Sequence, residues 1–489
     1  MHRDGRAECL HRLDEADQGR IQAVPNSRLS ALPRMGIHEP RPLRERPREP
    51  VIPDRVDWAA GTGRLLLADA GFGRNMAGVR PGEIRSVLVL EIPPKPFGHG
   101  GEGDACLENY SSGRIWRFLK RVVGEFPVEA DGSAYAEVPA RRALQLIALD
   151  AQGRSVKRMN SFISVMPGET VSCVGCHEQR TQTGPAYGNL AALRRGPVKV
   201  KAIPGVPDCM DYPRDVQPVL DRHCTGCHNA EKMAGRLDLS GEHGGFRSFS
   251  WMGLTQEKYM PYVWTPFIRE TQMSDLPPRS FGSGAWGAMP YFEGRAKGHE
   301  KIRLDPNELR LVQVWADLPA QYRGSYFTAG ASCDAIRYNR WQDTPLDGRC
   351  LDCHRTPAER AGKTSVAFFL PRFAPSDHRW VGTRIVNLCR PELSVVLRAP
   401  LAKDAGGLGW CRDKQNKPVF AGKQDADYQR LLAFINKQAA GKPMGKDVLP
   451  WHKMKFYDVP IAPGADIFRL QEQTGQRGDI RRDEGPPLP

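Results

Sequence analysis

The stretch DVQPVLDRHCTGCH, Asp215 to His228, decides how the rest of this chain is read. Pro213 suits a helix start, and Val216, Val219 and Leu220 fall at helical spacing behind it, so a short helix delivers Cys224. It ends in Cys224-Thr-Gly-Cys227-His228. Two thiols three positions apart can each bond one vinyl carbon of the same porphyrin, and the adjacent imidazole is then held where its nitrogen binds iron. The arrangement recurs at Cys173-Val-Gly-Cys176-His177 and at Cys350-Leu-Asp-Cys353-His354. Three covalently attached c-type haems follow, with His177, His228 and His354 as iron ligands.

Zinc is the rival, since it also binds C-x-x-C pairs and would make the chain a zinc-stapled binding module. Zinc does not require histidine directly after each pair. Histidine is 12 of 489 residues, so its chance appearance after all three pairs is roughly 1 in 70,000. The pairs are also far apart along the chain, and a thioredoxin-like βαβ context is missing. The other six cysteines, Cys9, Cys106, Cys209, Cys333, Cys389 and Cys411, have no regular spacing. They read as core residues or occasional disulfides, with Cys389 and Cys411, flanking one Gly-rich loop, as the candidate pair.

Each iron has a sixth position. His99, His223, His243, His299, His378 and His452 are the remaining histidines outside the N-terminal arm. His299 is the candidate for the second haem, because it lies in the same segment, just before a capped helix. His378, His452 and Met454 compete for the third.

Working outward, residues 1–54 are rich in Arg, Pro and Glu and read as a poorly ordered arm. Residues 55–170 read as an antiparallel β-sandwich-like middle domain. Val87–Leu90, Val122–Val128, Tyr135–Val138 and Ala143–Leu149 are strand candidates, with turns at Asp131-Gly132 and Asp150–Gly153. Residues 171–205 carry the first haem site and a linker. Mostly α, cytochrome c-like domains with long loops follow: 206–326 with the second haem and 327–465 with the third, then a tail at 466–489. In LDPNEL, Leu304 to Leu309, Asp305 can cap, Pro306 suits the first turn and Glu308 can reach back, while Leu304 and Leu309 form a staple. A further helix is expected over Asp425–Lys437, with Tyr428, Leu431, Leu432 and Ile435 on one face. The fold class is therefore α+β and multidomain.

The charge of +14 falls to roughly +8 once six propionates are counted. Scattered arginines and no legible nucleic-acid module point to acidic redox partner proteins rather than nucleic acid. No apolar run reaches the ~18–20 residues of a membrane helix. Gly71-Phe-Gly73 lacks the rest of a phosphate-loop pattern and reads as a turn. Haem is attached to such motifs outside the cytoplasm, so the expected location is periplasmic or otherwise exported, although Met1–Gln22 has no signal-peptide core.

The sequence resembles proteins related to the hydrazine synthase alpha subunit. The resemblance rests on DGSAYAEVPA from Asp131, MPGETVSCVGCHE from Met166, DVQPVLDRHCTGCH from Asp215 and GRLDLSGE from Gly235. It continues in LPPRSFGSGA from Leu276, WADLPAQYRGSY from Trp315, LSVVLRAPLAKDAGGLGWC from Leu393 and DADYQRLLAFI from Asp425. It implies a β-rich middle domain ending at the first haem, a cytochrome-like region after it, and an upstream domain, a β-propeller, that precedes the part seen here. In the hydrazine synthase subunit a tyrosine four residues after the first motif's histidine binds iron, and that histidine binds zinc. Thr181 holds the corresponding position here, and the nearest tyrosine is Tyr187. A threonine hydroxyl is a poor iron ligand, so His177 is expected to bind iron. The third motif adds to that subunit's two-haem pattern. Electron transfer by a multihaem cytochrome, alone or as part of a larger oxidoreductase, is the leading expectation; a hydrazine synthase-like, haem-dependent oxidoreductase acting on a small nitrogen species at the first haem is the second.

Overall fold

The computed structural model describes residues 56–93, 119–159, 161–177, 187–242, 244, 248–255, 277–322, 324, 349 and 386–440. The third motif, Cys350 to His354, lies outside them, as do the arm at 1–54, the tail at 466–489, and His99, His243, His378, His452 and Met454.

Val87-Leu88-Val89-Leu90 is apolar at every position, and its surroundings explain this. Strand β1 spans Thr62–Leu67, β2 Ser86–Glu91, β3 Arg121–Pro127 and β4 Ala134–Pro139. Strands β5 Leu144–Leu149, β6 Ser155–Arg158, β7 Thr170–Cys173 and β8 Val198–Lys199 complete two four-stranded sheets, ordered β7-β1-β4-β8 and β3-β2-β5-β6. Val87 and Val89 join Leu65, Leu67, Ala134, Ala136 and Val138 in a core between the sheets. Leu88 and Leu90 belong to a second core, shared with Tyr212, Val312 and Trp315 on the far side. A strand buried on both faces has no reason to alternate. By contrast β1 and β3 alternate strictly between buried and more exposed positions.

The sandwich is not purely antiparallel. Sheet β3-β2-β5-β6 is, but β7 pairs with β1 and β8 with β4 in parallel. Both parallel strands arrive through long connections rather than hairpins, so no turn signal announces their partners.

Seven α-helices are described: α1 Ala191–Arg195, α2 Gln217–His223, α3 Phe249–Leu254, α4 Met289–Phe292, α5 Pro306–Asp317, α6 Val395–Arg398 and α7 Ala426–Ala440. Helix α2 is entered through a π-turn at Tyr212–Val216, and Val216, Val219 and Leu220 are buried as their spacing predicts. Helix α5 carries the capping box read from the sequence: Asp305 accepts from the Asn307 N–H at 2.8 Å, and Glu308 from the Asp305 N–H at 3.0 Å. Leu304 and Leu309 pack against the core beside it.

The helices close on the sheet rather than on a core of their own. Leu88, Leu90, Val122, Ile147 and Leu149 share one apolar cluster with residues from α2, α3 and α5. Trp315 sits fully buried at its centre, 5.0 Å from the ring of Tyr212 and 5.4 Å from that of Trp286, its indole donating to the Gln321 carbonyl at 2.9 Å. A third cluster, Val386, Leu388, Leu397, Leu401, Phe420, Tyr428, Leu431 and Ile435, is built on α6 and α7. It uses the face of α7 expected from the sequence. Among the described residues no helix is long and apolar enough to cross a membrane.

Candidate functional site

The first motif is carried on a sheet edge and wrapped by backbone. Strand β7 ends on Cys173, paired with Leu67 of β1. The chain leaving β1 then lines the motif residue by residue. Ala68 N–H donates to the Cys173 carbonyl at 2.9 Å and Asp69 N–H to that of Val174 at 3.1 Å. Cys176 N–H donates to the Phe72 carbonyl at 2.7 Å, and Arg74 N–H to that of His177 at 2.8 Å. The Cys176 thiol donates to the Ala70 carbonyl at 3.2 Å. Gly71-Phe-Gly73, expected as a turn, is this cradle. It leaves no room at Gly175, where a Cβ would collide with the Phe72 carbonyl. Burial, together with Asp69 and Cys173 and against Lys157, pushes the Cys176 thiol up to about 12. Nearby, the Tyr187 hydroxyl is buried without a hydrogen-bond partner, and burial, then Asp69, raises its pKa.

The second motif follows from a helix end. Cys224 caps α2, its N–H donating to the Leu220 carbonyl at 2.7 Å. Cys227 and His228 N–H groups both turn back to the Cys224 carbonyl, at 3.2 and 3.0 Å. Cys224 is half-buried against the core while Cys227 is exposed. Burial, then Asp221, pushes the Cys224 thiol up to about 12. Asn229 braces the loop beyond: its amide donates to the Thr225 carbonyl at 2.7 Å and its oxygen accepts from the N–H groups of Glu231 and Lys232 at 3.0 and 2.9 Å.

The imidazoles of His228 and His299 are brought together here, ring centres 5.9 Å apart and planes within 15° of parallel. His228 Nδ1 pairs with the Ala234 carbonyl at 2.9 Å, and His299 Nδ1 more weakly with that of Lys297 at 3.4 Å. When a backbone carbonyl accepts a hydrogen bond from Nδ1–H, the other nitrogen is left with its lone pair for a metal. Tyr291 packs edge-on to His299 at 4.9 Å. Burial, chiefly, holds the His228 pKa below its ordinary value.

Paired thiols with an imidazole beside them, and a second imidazole close by, are the donor types that an iron porphyrin would use. Stacked rings touch at about 3.5–4 Å, so 5.9 Å leaves space between the imidazoles. Among the described residues no group of three or more His, Cys, Asp or Glu side chains gathers to hold a metal.

His223, another candidate ligand, is turned away to Glu308, its Nε2 2.9 Å from the carboxylate. Sequence reasoning missed Arg398, which is buried and reaches the loop after His228. Its signal was available: a lone arginine inside the apolar run LSVVLRAPL, where a charge is either at an edge or paired in the interior.

Residues 80–178 match a family model described as the hydrazine synthase alpha subunit middle domain, a span that includes the first motif. A chain of the solved Kuenenia stuttgartiensis hydrazine synthase is similar at 18% identity and a TM-score of 0.40. The likeness covers 55% of this chain and 44% of that one, so this chain spans less than half of its length. No curated protein matches.

Proposed function

We propose, for a chain related to the hydrazine synthase alpha subunit through residues 80–178, that it is a multihaem c-type cytochrome whose second haem transfers electrons. The paired thiols Cys173/Cys176, Cys224/Cys227 and Cys350/Cys353 hold the porphyrins, and His177, His228 and His354 ligate iron. One observation supports the reading: the rings of His228 and His299 lie nearly parallel, with their centres 5.9 Å apart. A haem held this way supplies one-electron redox chemistry. With both imidazoles as ligands the iron would be closed to substrates, and the Ala234 carbonyl, accepting from His228 Nδ1, would hold the tautomer that leaves the other nitrogen for the metal. The location follows as periplasmic or otherwise exported, and the basic surface suits acidic redox partners.

The test is a pyridine haemochrome assay with optical spectra on protein matured in the periplasm. Three haems per chain are expected, with the second six-coordinate and low-spin. His299→Ala should convert that haem alone to a high-spin form that binds added imidazole. A colourless protein sinks the proposal, and an unchanged spectrum in His299→Ala sinks the ligand assignment.

A second reading, a haem-dependent oxidoreductase acting on a small nitrogen species, attaches to the first motif. It attaches there because residues 80–178, which match the hydrazine synthase alpha subunit middle domain, include that motif. A high-spin first haem that binds small ligands argues for it; a low-spin one argues against.

A further inference from the structure

The loop that follows His228 is conformationally awkward. Met233 and Arg236 both have left-handed backbones, with φ of 47° and 61°, beside Gly235 at 60°. Side chains rarely adopt this region unless their surroundings enforce it. Ala234, between them, supplies the carbonyl that binds His228 Nδ1.

What enforces it comes from the C-terminal core. Arg398, at the end of α6, is 8% exposed. Its guanidinium donates to the Ala230 carbonyl, to the Glu231 carbonyl at 3.0 Å and to the Gly406 carbonyl at 3.4 Å. All three of these acceptors are backbone carbonyls, so the planar fork of donors is being used for geometry. The same face adds further ties. Arg390 pairs with Glu242, and with Glu231 at 3.1 Å; Asn387 donates to Glu242 at 2.6 Å. Arg236 lies over the ring of Trp410 at 5.0 Å.

We infer that Arg398 is a positioning residue for the second haem: by fixing the carbonyls of Ala230 and Glu231 it holds the loop whose Ala234 carbonyl sets the ring plane of His228. The inference rests on the haem reading above and adds to it a role for residues 386–440. The ring plane matters because near-parallel axial imidazoles give a rhombic low-spin electron paramagnetic resonance signal, whereas crossed planes give a strongly anisotropic one.

The experiment uses the full chain matured with haem. Arg398→Met keeps length and removes the donors; Arg398→Lys keeps charge and part of the bonding; Arg412→Met, whose guanidinium bonds only locally to the Asn416 carbonyl, is the control. The rhombic signal should move in part to the anisotropic form in Arg398→Met, be largely restored in Arg398→Lys and persist in Arg412→Met. Amide exchange over residues 230–237 should accelerate in Arg398→Met while that of β2 and β5 does not. Where Arg398→Met fails to accumulate, Trp410→Leu, which removes the ring beneath Arg236, is read the same way. A variant with full haem content and an unchanged signal and exchange pattern overturns the inference and leaves the haem reading standing. A wild-type chain without haem overturns both.

Discussion

The first and second motifs share the pattern Cys-x-Gly-Cys-His and are held in opposite ways. At the first, backbone atoms of residues 68–74 line the motif, and its exact fit depends on the absence of a side chain at Gly175. At the second, side chains do the holding: Asn229 within the loop, Arg398 from another core, Glu308 from α5. At Gly226, the equivalent of Gly175, an added Cβ meets nothing within 4 Å. A motif thus specifies the covalent chemistry but not the support, which each part of the fold supplies in its own currency of contacts. The first support is sensitive to added volume. The second is spread over long-range polar contacts and is sensitive to their deletion.

The largest expected effect comes from the core beneath the second motif. Trp315→Ala empties the space between Tyr212 and Trp286 and removes the indole donor from the Gln321 carbonyl. Truncations of this kind cost about 3–5 kcal/mol. Urea unfolding should report that loss, and amide exchange should speed up first in α2, which follows the π-turn that Tyr212 begins. If β1 and β4, in the core between the sheets, lose protection equally, the two motifs do not rest on separable supports and the contrast fails.

A paired substitution tests the contrast at matched positions. Gly175→Ala drives a methyl into the Phe72 carbonyl, and the backbone must shift, at a cost of about 1–3 kcal/mol. Gly226→Ala should fall within about 0.5 kcal/mol of wild type. Thermal unfolding and haem content measured side by side should show the first variant impaired and the second unaffected. Equal behaviour of the two would mean that the haem, not the surrounding chain, shapes both motifs.

What could be read in advance follows the range of the interactions. The capping box at Asp305 and Glu308, the helix delivering Cys224 and the face of α7 are encoded within a few residues and were legible. So were β2 to β5, whose apolar runs and intervening turns are local. The parallel strands β7 and β8 were not, because each is short, half-exposed and defined by a distant partner. Nor was the sharing of one core by sheet and helices, although Val87–Leu90 hinted at it: four apolar residues in a row need cover on both sides. At the site, the segment that His299 shares with the second motif pointed to it, and it lies beside His228; Arg398 stands out as a charge in an apolar run, but nothing local names Ala230 as its partner.

The smallest effect concerns the charge that ties α2 to α5. Glu308 Oε2 accepts from the Asp305 N–H and lies 2.9 Å from His223 Nε2, while Oε1 accepts from Arg222 at 2.6 and 2.9 Å. Partial burial pushes the carboxyl up, but the Asp305 N–H, Arg222 and His223 outweigh it and hold the folded pKa below the ordinary value. The unfolded chain therefore takes up this proton first as the pH falls. The stabilisation is complete above the unfolded value of about 4.3 and is lost as the pH drops through the folded one. Glu308→Gln should cost about 1 kcal/mol at pH 7, and the gap from wild type should narrow once the pH is below about 4. Urea midpoints at pH 7 and in acid would measure this. A gap that stays constant across that range would mean that Glu308 supports the second motif by capping α5 alone, and that its ion pairs to Arg222 and His223 contribute nothing.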